Sequence, residues 1–198
     1  MSRKVFDIIA SVGGVAVVIA LVIAGGLLTW GHSFVNSNVH NQLAQQQIYF
    51  PPKAAFEHPK AGTEITPSMI PNVSKYAGQQ LLTGEQAKTY ADDFISVHLS
   101  EMPYGGKYSK VSAASMADPK NTALATEVQT VFRGTTLRAM LLQAYGFSLI
   151  GVVMLWGAFV SFVLAAVMAI LVGLGIWHAR KTTEEEQMFA VKPAPAAS

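Results

Sequence analysis

The side chains best suited to metal or acid–base chemistry are five histidines, at positions 32, 40, 58, 98 and 178, and the carboxylates Glu85, Asp92 and Asp93. His32 and His40 share a helix face but sit about 12 Å apart along it, too far to hold one metal ion. No His-Glu-x-x-His, His-x-x-x-His or facial-triad spacing occurs. A metal site would have to be assembled in three dimensions from His40, His58 and His98; solvated or packing histidines are the plainer reading. Asp92 and Asp93 are adjacent, so on a helix they point about 100° apart and form no dyad. Gly-x-Ser-x-Gly, P-loop and dinucleotide glycine patterns are absent, and Gly105-Gly106 reads as a turn. There is no cysteine, which excludes disulfides, thiol nucleophiles and thiolate-held metals. The expectation is no catalytic residue, no cofactor and no metal.

The elements carrying these residues are dominated by apolar sequence. Of 198 residues, 51% are hydrophobic and 13% charged, against roughly a quarter charged in an ordinary soluble domain. The net charge of +2 is too small to argue for nucleic acid. No Asp, Glu, Lys or Arg lies between Asp7 and Lys53, or between Arg138 and Arg180. Ile8 to Leu28 is long enough to cross a bilayer as a helix, and too long for the core of a signal peptide, so an uncleaved signal anchor is expected. Trp30 follows it, and Trp156 and Trp177 bracket a second apolar stretch; all three suit the membrane–water interface. Arg3 and Lys4 precede the first span, and Arg180 and Lys181 follow the second. The positive-inside rule then puts both termini in the cytoplasm and the middle outside the plasma membrane. Neither span carries a buried ionisable residue, which disfavours an ion or proton path through a single chain.

The expected fold class is therefore an all-α membrane protein, with two long antiparallel transmembrane helices extended into a mainly helical extracytoplasmic domain. Its divisions are residues 1–30, a cytoplasmic start and first transmembrane helix; 31–145, the outer domain with a Pro-rich loop at 51–82; 146–178, the second transmembrane helix; and 179–198, a disordered cytoplasmic tail rich in Glu, Ala and Pro. The first helix is predicted as one rod from Val5 to Gln47, since Val35, Val39 and Leu43 keep helical spacing until Pro51-Pro52. Thr83 and Gln86 form a capping-box signature for a helix running to Met102. A short helix is predicted over Ser109–Met116. Asp118-Pro119 is the expected start of the last helix, which meets no proline before the tail. Asn72-Val73-Ser74 matches the glycosylation pattern but is read as chance. The apolar stretch from Ala139 to Leu155 lies outside the Trp156–Trp177 slab, so it either tilts into lipid or packs on protein.

Small residues supply the clearest constellation. Gly157, Ser161, Ala165, Ala169 and Gly173 recur every four residues, and Gly13, Ala16, Ala20 and Ala24 every three or four. Such spacing lets helix backbones approach closely, so these nine positions are the expected helix–helix interface, within the chain or between chains.

The segments Asn38-Val39-His40-Asn41-Gln42-Leu43, Ile48-Tyr49-Phe50-Pro51-Pro52, Thr83-Gly84-Glu85-Gln86-Ala87-Lys88, Phe132-Arg133-Gly134 and Ala144-Tyr145-Gly146 resemble those of actinobacterial two-helix membrane proteins of unassigned role. Members often carry an automatic label of aromatic ring-opening dioxygenase; such an enzyme needs an iron site, and these residues offer none. The resemblance implies an integral membrane protein of an actinobacterial envelope. Arg133 and Arg138 are expected to meet the amide-rich face of residues 36–47, or lipid headgroups, in a collar at the outer surface. The expected partners are membrane lipids and either further copies of the chain or other membrane subunits. The leading function is a non-enzymatic scaffold or accessory subunit of an envelope or respiratory complex; the alternative is a binder of lipid or a small hydrophobic ligand, with the 139–155 stretch and the Pro-rich loop as its pocket.

Overall fold

In the computed structural model, residues 3–60 and 63–181 are described. Among the described residues 85% are helical and none forms a strand. Two long helices dominate: α1, Arg3–Gln46, and α5, Thr122–Lys181. Both are long and apolar enough to cross a membrane. Between them lie α2, Gly84–Thr89, a π-helical segment over Tyr90–Ile95, α3, Ser96–Glu101, and α4, Tyr108–Ala117. The chain divides into two compact units. One holds the described residues up to Gly31 and from Val153 onward; the other is His32–Val152.

In the first unit the two long helices pair. Contacts between them run in reverse order along the chain. A Cβ added at Gly31 would lie 2.9 Å from Met154, one at Gly157 3.2 Å from Leu28, one at Gly25 2.8 Å from the Phe162 ring, and one at Gly175 3.0 Å from Ser11. A Cβ at Gly14 would collide with Val172. Each close approach sets a glycine on one helix against a larger side chain on the other. On α1 the buried or half-buried positions include Ser11, Gly14, Val18, Leu21, Gly25 and Leu28; on α5 they include Ala158, Ser161, Ala165, Met168 and Val172. Both series alternate steps of three and four, a mean of about 3.5 residues, which is the repeat of a left-handed supercoiled pair.

The second unit has a conventional core. Phe50, Ile65, Met69, Val73 and Leu81 are all 0–2% exposed. Four of these come from 51–82, the stretch expected to be an irregular loop. It is instead a string of single turns at Lys53–Phe56, Pro67–Met69, Ile70–Val73 and Ser74–Tyr76 that turns its few large apolar residues inward. Periodicity could not show this, because each turn is shorter than one hydrophobic repeat. α1 ends where expected: Gln47 takes a positive φ of 51°, and the Gln80 side-chain amide donates to the Ala44 carbonyl at 3.0 Å. The chain then pairs briefly with 78–81, through Phe50 N–H to the Gln79 carbonyl and Leu81 N–H to the Ile48 carbonyl, each 2.9 Å.

The capping box forms as read: Thr83 Oγ1 accepts from Gln86 N–H at 3.2 Å, and Gln86 Oε1 accepts from Thr83 N–H at 3.1 Å. The helix start at Asp118-Pro119 is corrected. Asp118 N–H donates to the Ala114 carbonyl and so closes α4, while Asn121 Oδ1 accepts from Leu124 N–H at 3.2 Å and caps α5. Aspartate and asparagine both cap well, and the choice fell to whichever was not already engaged by the preceding helix.

Candidate functional site

Among the described residues no three His, Asp or Glu side chains come together as a metal-holding group. His40 and His58 are exposed, and His98 Nδ1 is 2.9 Å from the Phe94 carbonyl in the preceding π segment. His32 Nδ1 lies 2.8 Å from the Gly151 carbonyl, joining α1 to α5 within the second unit. His178 Nε2 is 4.0 Å from Asp7 Oδ2 in the first unit. Glu85 is exposed on α2.

Asp92 and Asp93 do point apart, and each has a partner. Asp93 accepts from the Asn72 side-chain amide at 2.9 Å. Asp92 accepts from Lys88 Nζ and from Arg138 Nη2, both at 2.7 Å. The hydrogen bond from Lys88, then that from Arg138, holds the Asp92 carboxyl below its usual range despite some burial. The hydrogen bond to Asp92 and its charge raise Lys88. Tyr90, half-buried beside Phe50 and Phe94, has its phenol pushed up by loss of solvent. Arg138 thus has a carboxylate partner that the sequence reading, which looked to the amide face of α1 or lipid headgroups, did not include. It is drawn to a carboxylate by charge, which a neutral amide cannot match. Arg133 is exposed on α5.

The π segment was not legible from the sequence, since an extra residue per turn leaves composition unchanged. It accommodates an aromatic chain through the core. Ring centroids are 5.1 Å apart for Phe50–Tyr76, 5.3 Å for Phe50–Tyr90, 4.7 Å for Tyr90–Phe94 and 4.6 Å for Phe94–His98. α5 closes on this core at two small residues. Gly134 abuts the Leu99 side chain, and Gly84 of α2 sits so close to Ser148 that no Cβ would fit.

Beside that contact, α1 and α5 of the second unit leave an open cleft of about 380 Å³. Buried Val39, Leu43 and Leu141 form its floor. Exposed Leu137, Met140 and Phe147 form one lip, and the amides of Asn38, Gln42 and Gln46 the other. No charged residue lines it. Residues 51–82, expected to contribute to a pocket, form core instead. Only part of the 139–155 stretch joins them in contact: Leu141 is 3% exposed, whereas Leu149, Ile150 and Val152 are 43–47% exposed.

The predicted small-residue stripes divide. Gly157, Ser161 and Ala165 lie on the face of α5 turned to α1, and Ala24 is half-buried. Gly13, Ala16, Ala20, Ala169 and Gly173 are exposed. A strict step of four gains about 40° per step at 3.6 residues per turn, so such a stripe winds off the contact face. Ser11, Gly14, Gly25, Gly31 and Gly175 were missed because they are irregularly spaced among the large residues with which they share the contact face. Trp30, Trp156 and Trp177 are 57–67% exposed. Trp156 and Trp177 are about 31 Å apart along α5, close to the ~30 Å of a hydrocarbon core. Lys181 Nζ lies 4.0 Å over the Trp177 ring.

Compared with known proteins, the chain matches no family model, no curated protein and no solved structure.

Proposed function

We propose that this chain is an integral membrane protein of the plasma membrane, a pair of antiparallel transmembrane helices with both termini cytoplasmic and residues 31–145 outside. Its role is that of a non-enzymatic assembly component, as a self-associating scaffold or as an accessory subunit of an envelope or respiratory complex. The resemblance to actinobacterial two-helix membrane proteins fits this reading.

One observation carries it. α5 exposes apolar side chains from Leu149 to Trp177, about 42 Å of helix at ~1.5 Å per residue. A bilayer core covers only about 30 Å, the length between Trp156 and Trp177. The remainder includes Leu149, Ile150 and Val152. An apolar strip of that length in water is unfavourable and marks a protein contact. A second subunit laid along it answers that need.

Native mass spectrometry of protein released gently in detergent tests the reading. The expected result is discrete multiples of the chain mass or constant foreign polypeptides, and loss of either when Leu149→Glu and Ile150→Glu are combined. A monomer carrying lipid alone, unchanged by those substitutions, would refute the assembly role.

A further inference from the structure

The cleft in the second unit differs from the strip just described. Leu149 is two residues past Phe147 and so lies roughly on the opposite side of α5. The cleft has a size suited to a small molecule rather than to a protein surface. Its walls constrain the chemistry of what fits. The aliphatic floor and the Leu137–Met140–Phe147 lip favour a hydrocarbon chain. Because no lining residue is charged, an ionic group would lose hydration with no opposite charge to replace it. The opposite lip is amide. Gln42 Nε2 donates to Asn38 Oδ1 at 3.0 Å, which leaves the Asn38 amide N–H groups and the Gln42 carbonyl directed to other partners. Such a lip can donate to an ester carbonyl and accept from a hydroxyl.

We infer that this cleft binds a non-ionic membrane lipid of the diacylglycerol type, with an acyl chain along the floor and the glycerol hydroxyl and ester groups against Asn38 and Gln42. The inference rests on the membrane placement proposed above and is independent of assembly.

The test uses the full chain in phosphatidylcholine nanodiscs with two photoreactive probes bearing the same acyl chain, a diacylglycerol and a phosphatidylglycerol. Labelled residues are mapped by mass spectrometry. The diacylglycerol probe is expected to label 34–46 and 137–147, and the phosphatidylglycerol probe to label them at least tenfold less. Ala144→Trp, which fills the cleft, should cut the diacylglycerol labelling there by an order of magnitude and leave labelling of residues 8–28 unchanged. If that variant does not fold, Asn38→Ala with Gln42→Ala, both at exposed positions, should lower it severalfold. Equal labelling by both probes, or labelling insensitive to a folded variant, would overturn the inference. So would labelling of 8–28 with none in the cleft. Absence of labelling at 8–28 by either probe would overturn the membrane placement, and the inference with it.

Discussion

In the second unit Met69, Val73 and Leu81 are 0% exposed, whereas the most apolar window of α5, which belongs to the helix pair, is only 6% buried. The more hydrophobic region is thus the less buried one. The second unit is held by removal of apolar area from water, and its aromatic chain fills the interior. The helix pair has lipid as its expected surroundings, where burying one leucine against another gives little over burying it in acyl chains. What remains is close approach: glycine opposite Val172, Phe162, Met154 and Leu28. The lesson concerns what each region tolerates. A large residue lost should hurt the second unit, and a large residue gained should hurt the pair.

That contrast can be broken in order of expected effect. Leu81→Ala should destabilise the second unit by about 2–5 kcal/mol, read from denaturant unfolding in detergent, because the cavity is enclosed on all sides. Gly25→Leu should cost about 1–3 kcal/mol through overpacking against Phe162, while Gly26→Leu, with nothing within 4 Å of its added Cβ, should be neutral or slightly stabilising. Equal melting curves for the two would remove the basis of the close-approach account. Thr83→Ala should cost about 1 kcal/mol, since the N–H of Gln86 loses its acceptor.

The smallest effect concerns the Lys88–Asp92–Arg138 cluster, whose side chains are 28–43% exposed. Arg138→Leu should cost no more than about 1 kcal/mol. The pH dependence is the sharper reading. Asp92 has a lower pKa folded than unfolded, so its contribution is complete above the ordinary carboxylate pKa and disappears as pH falls through the depressed folded value. Asp92→Asn should flatten that acid limb of the stability curve. For Lys88 the folded pKa is raised, so its contribution is present below the ordinary lysine value and is lost only in strong alkali.

The sequence determined the elements set by local rules. Forty-five uncharged residues before Lys53 and forty-one after Arg138 dictate two apolar helices; Pro51-Pro52 and the Thr83–Gln86 box fix two boundaries because they act on backbone groups a few residues away. The outward tryptophans follow equally from type and spacing. Tertiary structure decided what depends on partners distant in the chain. Arg138, expected at amides or lipid headgroups, pairs with Asp92, since charge pairing across 46 residues leaves no local trace. Residues 51–82 became core because α1, α2 and the π segment offer them apolar surface. The contact face of the pair was chosen by helix supercoiling and by which glycine met which bulky side chain. Those are properties of two helices together, and no single helix states them.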